Sequence, residues 1–309
     1  MHNETVTVIF SDDEIRSQLN VNDAIQWMGE AIDDHHRGNL VAPPRAHADL
    51  EDGRIMFTAG QLRGSWFGYR SYDTFPGEPG EQVVVAHGEA TGTVRAIAVG
   101  NELGPRRTGA IGAVAADAMA SPAATVAAII GTGTQAATQL WALSAVRNLS
   151  EVKVFSRNQE RRDAFVVRAS VLTSAECYGA SSARAAVTGA DIVILATSSP
   201  TPVIEADWLK SGAYVSTLGP KQQGRAEFGL DLPAIATLLV TDSLAQIDAY
   251  DPPSVLVGTL QRDRLVSLGA VRAGEVTPPQ TDGISLFFSV GLAGTEVYLL
   301  NRLMTSTRK

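Results

Sequence analysis

The chain has a single cysteine, Cys177, in 309 residues, so no disulfide can form within it. That fits a reducing compartment. A nucleophilic Cys177 would need an electropositive, partly exposed setting. Ala175-Glu176-Cys177-Tyr178 reads instead as a strand, and a structural thiol is expected. Histidine is also sparse. His2, His35, His36, His47 and His87 show no metal-ligand spacing with one another or with the cysteine, and no metal is expected. Positive charge is in deficit: 25 Lys and Arg against 33 Asp and Glu give a net charge of −8. This argues against a nucleic-acid partner, which usually requires a basic face. It leaves room for a small anion held by a few local arginines. No apolar run approaches the roughly 20 residues of a membrane span. The N-terminus has no basic stretch followed by an apolar one, so no secretory signal is expected. A soluble, cytoplasmic protein is the expectation, with neither membrane nor nucleic acid as partner.

With 45% apolar and 19% charged residues, the chain can bury a core without staples. Residues 5–10 read as a strand. Ser11 followed by Glu14 is a capping box that starts a short helix. A second helix is expected after Asn22, with Ala24, Ile25, Met28 and Ile32 on its apolar face, and Pro43-Pro44 ends that region. From Arg45 to Val99 the pattern becomes short and alternating. Asp52-Gly53 marks a hairpin between Arg45–Leu50 and Arg54–Ala59. Residues 66–75, 82–87 and 94–99 continue what reads as an antiparallel sheet in an α+β domain.

A helix of small residues over 106–119 leads into strand–helix alternation. Strands are expected at 125–130, 151–155, 175–178, 191–196, 213–217, 237–241 and 284–288. Helices are expected at 134–147, 158–170, 182–188, 205–210 and 243–249. This order means a parallel sheet with helices on both faces. Residues 251–283 read as irregular. A last helix over 292–304 is expected to return to the first domain. The fold class is α/β: a Rossmann dinucleotide-binding domain at 119–289, and a discontinuous α+β substrate and dimerisation domain at 1–118 completed by 290–309.

The apolar run Val126-Ala127-Ala128-Ile129-Ile130 is followed at once by Gly131-Thr132-Gly133-Thr134-Gln135-Ala136. This is Gly-x-Gly-x-x-Ala between a strand and a helix, the setting in which it binds a dinucleotide. Gly131 permits the turn, Gly133 admits the pyrophosphate, and Ala136 lets the helix pack close. The helix N-terminus offers free N–H groups to the phosphates. The second strand ends in Ser156-Arg157-Asn158, with no acidic residue to accept from the ribose hydroxyls of NAD. A hydroxyl, a guanidinium and an amide suit a 2′-phosphate, so NADP(H) is favoured over NAD(H).

Further segments carry a resemblance over nearly the whole chain. They are Gly68-Tyr69-Arg70 leading to Phe75-Pro76, Arg106-Arg107-Thr108-Gly109-Ala110, Ala196-Thr197-Ser198-Ser199 and Phe288-Ser289-Val290-Gly291-Leu292-Ala293. Together with the glycine motif, their order and spacing resemble the ornithine cyclodeaminase/mu-crystallin family. The resemblance implies a homodimeric enzyme that acts on small amino or imino acids. It also implies that Arg107 binds the substrate α-carboxylate, that Thr108 lies near the cofactor and that Arg45 lines the site. Thr197, Ser198, Ser199, Leu218, Gly219, Val290 and Gly291 are implied at the cofactor. Position alone leaves Arg45 and Arg70 as readily solvated surface residues. Tyr72, Asp73 and His87 are further possible site residues.

The chain departs from the family twice. Arg70 stands where the family has a site lysine, and Lys221 stands where cyclodeaminases have a catalytic aspartate. Arg70 and Lys221 are therefore the expected catalytic groups, with Lys221 a proton donor or a second anion contact. The expected activity is NAD(P)H-dependent imino acid reductase or amino acid dehydrogenase. Arg45, Arg70, Arg107 and Lys221, counted as uncompensated, imply a dianionic substrate resembling iminosuccinate; if Asp73 or Glu227 neutralises one of them, a plain monocarboxylate is implied instead. The alternatives are a cyclodeaminase using another base, or an NADP-dependent binding protein with little turnover.

Overall fold

The computed structural model describes residues 6–77, 80–279 and 282–307. His2 and Thr5, part of two sequence readings, lie outside them. The chain forms two compact units. One comprises the described residues up to Arg107 together with those from Leu292 onward. The other is Thr108–Gly291.

In the first unit, Ser11 caps helix Asp12–Gln18 through the expected reciprocal box with Glu14. The second helix, Val21–His36, starts earlier than expected because Asn20, not Asn22, is its N-cap. A strand, Leu40–Val41, precedes Pro43. The sheet runs in the order Val8–Phe10, Val94–Gly100, Gln82–Gly88, Trp66–Asp73, Gly53–Leu62 and Leu40–Val41, with Ala46–Leu50 also paired to Gly53–Leu62. The strands from Ala46 to Gly100 pair antiparallel, as expected, and Val8–Phe10 joins Val94–Gly100 in parallel. Strand propensity marks a strand but not its partner.

Helix Thr295–Thr307 packs on one face of this sheet and buries Val297, Tyr298, Leu299 and Leu300. A Cβ on Gly68 would fall 2.7 Å from Cγ1 of Val297, so glycine there admits the helix. The opposite face is apolar and open. Ile9, Phe57, Phe67 and Tyr69 are exposed, whereas their chain neighbours Phe10, Thr58, Trp66 and Gly68 are buried.

The second unit is an eight-stranded sheet, parallel throughout. Its order is Glu176–Gly179, Glu151–Phe155, Val126–Ile130, Ile192–Leu195, Tyr214–Thr217, Ser285–Phe288, Leu238–Thr241 and Leu265–Ser267. Strand Leu265–Ser267 and helices Leu260–Asp263 and Leu268–Arg272 occupy ground expected to be irregular. They are too short for their periodicity to register. A small hairpin, Lys221–Gln222 with Arg225–Ala226, was also not foreseen. The small-residue helix spans Leu103–Met119, starting ahead of Pro105. Proline is tolerated in a first turn, where its missing N–H has no intrahelical partner. Among the described residues, no helix is long and apolar enough to cross a membrane.

Candidate functional site

Chain order reverses in the parallel sheet between Val126–Ile130 and Ile192–Leu195, and crevices form at the carboxyl ends of strands at such a point. A cleft of about 740 Å³ opens there. The segments after Val126–Ile130, Glu151–Phe155, Ile192–Leu195 and Tyr214–Thr217 line it. Among the expected residues, Gly131, Thr132, Gly133, Thr134, Gln135, Ser156, Arg157, Asn158, Thr197, Ser198, Ser199, Leu218 and Gly219 stand in its wall. Ala136 does not; it is fully buried behind the turn, where its small side chain brings the helix close. Thr108, Val290 and Gly291 are also absent from the wall.

The turn fits a dinucleotide. Gly131 has φ +115°, and a Cβ there would fall 2.2 Å from the Ala196 carbonyl oxygen. A Cβ on Gly133 would meet nothing within 4 Å. Gly133 is the N-cap of helix Thr134–Val146 and provides no side-chain cap. The first N–H groups of that helix are thus left for an anion. Gln135 Oε1 is buried without a hydrogen bond among the described residues, again at the cleft. Arg168 holds the turn by donating to the Thr132 carbonyl at 3.0 Å.

At the far end, Asn158 Oδ1 accepts from the Arg161 N–H at 2.9 Å and caps helix Gln159–Leu172. Arg157 is exposed, and Arg161 stands beside it in the wall. Sequence reasoning missed Arg161; its signal was a second arginine in the first turn after that cap.

Beneath the other end sits Glu227, completely buried. Its carboxylate accepts from Thr197 N–H at 3.0 Å, Thr197 Oγ1 at 2.8 Å and Gly219 N–H at 2.5 Å. Burial pushes its carboxyl up from the ordinary value, against the pull of the Lys221 charge and the Thr197 and Gly219 hydrogen bonds. Lys221 is 1% exposed. Its ammonium donates to the Gly219 carbonyl at 2.7 Å and the Ser289 carbonyl at 3.0 Å. The ammonium is thus held on backbone carbonyls, one of them that of Gly219 in the cleft wall. Asp242, also buried, accepts from the N–H groups of Val290 and Gly291, each at 2.9 Å.

The expected arginines belong to the first unit, and a residue that sequence reasoning missed joins two of them. Glu296, 1% exposed, accepts from Arg70 Nη1 at 2.6 Å and from Arg107 Nη2, both through Oε1. Burial alone would raise its carboxyl, but the charges of Arg107 and Arg70 outweigh burial and hold the pKa down at about 2. Arg70 Nε donates to Gln82 Oε1 at 3.0 Å, and its guanidinium lies 4.2 Å from the Tyr72 ring centroid. Arg45 Nη1 donates to Tyr72 Oη at 3.4 Å. Arg107 Nε is buried without a hydrogen bond among the described residues. Asp73 accepts from the Phe75 N–H at 3.1 Å, and His87 stacks on Phe67 at 4.8 Å. Among the described residues, no cluster of His, Cys, Asp or Glu could hold a metal.

A Rossmann-type unit with a glycine-turn cleft, accompanied by an α+β unit with a buried arginine pair, defines a class of two-unit α/β proteins. A sequence profile described as the ornithine cyclodeaminase/mu-crystallin family matches residues 5–306, and the chain belongs to that family. Alanine dehydrogenase of Archaeoglobus fulgidus is 27% identical over 308 residues, covering 94% of this chain and 92% of that protein. Delta(1)-pyrroline-2-carboxylate reductase of Bacillus cereus is 25% identical over 311 residues, covering 96% and 95%. Among solved structures, the Thermococcus litoralis Delta(1)-pyrroline-2-carboxylate reductase in complex with NADH and L-proline superposes with a TM-score of 0.88. It is 24% identical, over 97% of this chain and 96% of that one.

Proposed function

We propose that the chain is an NAD(P)H-dependent imino acid reductase, or amino acid dehydrogenase in reverse. The observation that carries this is the uncapped helix behind the Gly131–Gly133 turn, in a cleft of dinucleotide character. Relatives named for alanine and pyrroline-2-carboxylate chemistry support the substrate class. When bound, the nicotinamide supplies or takes the hydride exchanged with the carbon of a C=N bond.

The chain's own groups bind and orient. Helix N–H groups take the pyrophosphate, and Arg157 with Arg161 takes the 2′-phosphate of NADP(H) in preference to NAD(H). Arg107 holds the substrate carboxylate, with Arg70 fixed beside it by Glu296 and Gln82. Glu227 and Lys221 fix the loops at Thr197 and Gly219, and Asp242 fixes Val290 and Gly291.

The expected dianionic substrate rested on four uncompensated cations. Glu296 and Glu227 supply two buried carboxylates beside that set. The reading kept is a small imino acid bearing its α-carboxylate.

The test is a spectrophotometric screen of reduced-cofactor oxidation with cyclic and linear imino acids. Turnover with at least one, and a lower Kd for NADPH than for NADH, is expected. Arg157→Ala should narrow that cofactor preference. L-Ornithine should give neither proline nor ammonia, because Lys221 offers no carboxylate base. No oxidation across the panel, despite tight cofactor binding, would overturn the reading.

A further inference from the structure

Two guanidinium groups share one carboxylate oxygen in the first unit. Arg70 and Arg107 are 12% and 7% exposed at the side chain, and Glu296 is 1%. Groups so buried are poorly screened by water or salt, so their charge sum is felt by any ligand placed beside them. Arginine cannot lose its proton to relieve crowding. Among Arg70, Arg107 and Glu296, two positive charges against one negative leave one positive charge.

We propose that Glu296 is a specificity-determining positioning residue that sets this centre to accept one carboxylate and to reject a second. This deepens the imino acid reading and rests on it. Without Glu296 the two arginines would form a doubly charged site suited to a dicarboxylate. With it, a single carboxylate neutralises the cluster, and a second anionic group brings unmatched charge that must be stripped of water. Glu296 also fixes geometry. It holds one Nη of each arginine, and Gln82 and Tyr72 hold the Arg70 guanidinium from its other sides. Gly104 leaves room for this packing: a Cβ there would sit 2.9 Å from Gln82 Oε1 and 3.3 Å from Arg70 Nη2. Arg70 is thereby spoken for, and Arg107 is the arginine left to meet the ligand carboxylate.

The test is a charge-restoration cycle on the full chain saturated with NADP⁺. Binding of L-proline and pyruvate, with one carboxylate each, is compared with that of L-aspartate and oxaloacetate by calorimetry. Wild type should favour the single carboxylates. Glu296→Gln should shift the ratio toward the dicarboxylates by about tenfold or more. Arg70→Gln, with the cluster neutral, should weaken single-carboxylate binding by about tenfold. Adding Glu296→Gln to Arg70→Gln restores one net charge and should recover much of that loss. A purely structural role for Glu296 instead makes the double variant worse than Arg70→Gln alone, and that result overturns the proposal. This comparison stands even if Glu296→Gln alone does not fold. An unchanged ligand ratio in a folded Glu296→Gln, or no binding of any of these ligands by wild type, also overturns it. Because binding is read without turnover, a chain that shows the charge effect but reduces no imino acid refutes the reductase reading and leaves the role of Glu296 intact.

Discussion

Lys221 is 1% exposed and donates its ammonium to the carbonyls of Gly219 and Ser289. Lys221→Met should therefore act on the fold: it removes the donor to the Gly219 and Ser289 carbonyls and the positive charge near Glu227. A loss of about 1–3 kcal/mol is expected for leaving these acceptors without their donor, measured by denaturant melts. A variant of undiminished stability with altered pH dependence of turnover would support the proton-donor role instead. Nothing local marks Glu296, because the residues it serves are 189 and 226 positions away along the chain. The only trace in the sequence is an acidic residue at the head of a helix whose following residues are apolar. Arg107 was legible because it stands in a recognisable short segment, whereas its partner does not.

At the scale of elements, the glycine turn was fully readable, since strand, turn and helix are contiguous and each glycine has a local reason. The two glycines should nevertheless respond differently to alanine. Gly131→Ala places a Cβ 2.2 Å from the Ala196 carbonyl oxygen at φ +115°, so it should cost stability on the order of 1–3 kcal/mol and cofactor affinity together. Gly133→Ala meets nothing in the protein, so melting should stay near wild type while cofactor affinity falls. Fluorescence titration and thermal melts on both variants check this; equal loss of stability in the two would contradict it. Leu265–Ser267, Leu260–Asp263 and the Lys221–Ala226 hairpin escaped detection for one shared reason. Each is two to four residues per segment, and such segments form only because a neighbouring sheet or loop supplies their partners.

For the whole molecule, the seven-stranded sheet of the first unit leaves one face uncovered. Ile9 is 62% exposed, Phe57 and Tyr69 each 40%, and Phe67 39%. Exposed apolar side chains grouped on one face are what an association surface requires. The expected homodimer would bury it. Light scattering should give twice the chain mass, and Phe67→Glu should dissociate the pair without disturbing cofactor affinity. A wild-type monomer at micromolar concentration would contradict this. The sequence alternation showed that these strands have two faces of unequal polarity, but not which face helix Thr295–Thr307 takes.

That helix follows the entire Thr108–Gly291 unit in the chain, although it packs on strands made before it. On the ribosome, where domains tend to fold as they emerge, Arg70 and Arg107 are synthesised long before the carboxylate that balances them. The cofactor unit can close while the first sheet still waits for its last helix. Premature termination between codons 292 and 296 would therefore release a chain with the whole cofactor unit yet carrying two uncompensated guanidiniums. Emergence of helix Thr295–Thr307 itself becomes the checkpoint for assembling the arginine centre.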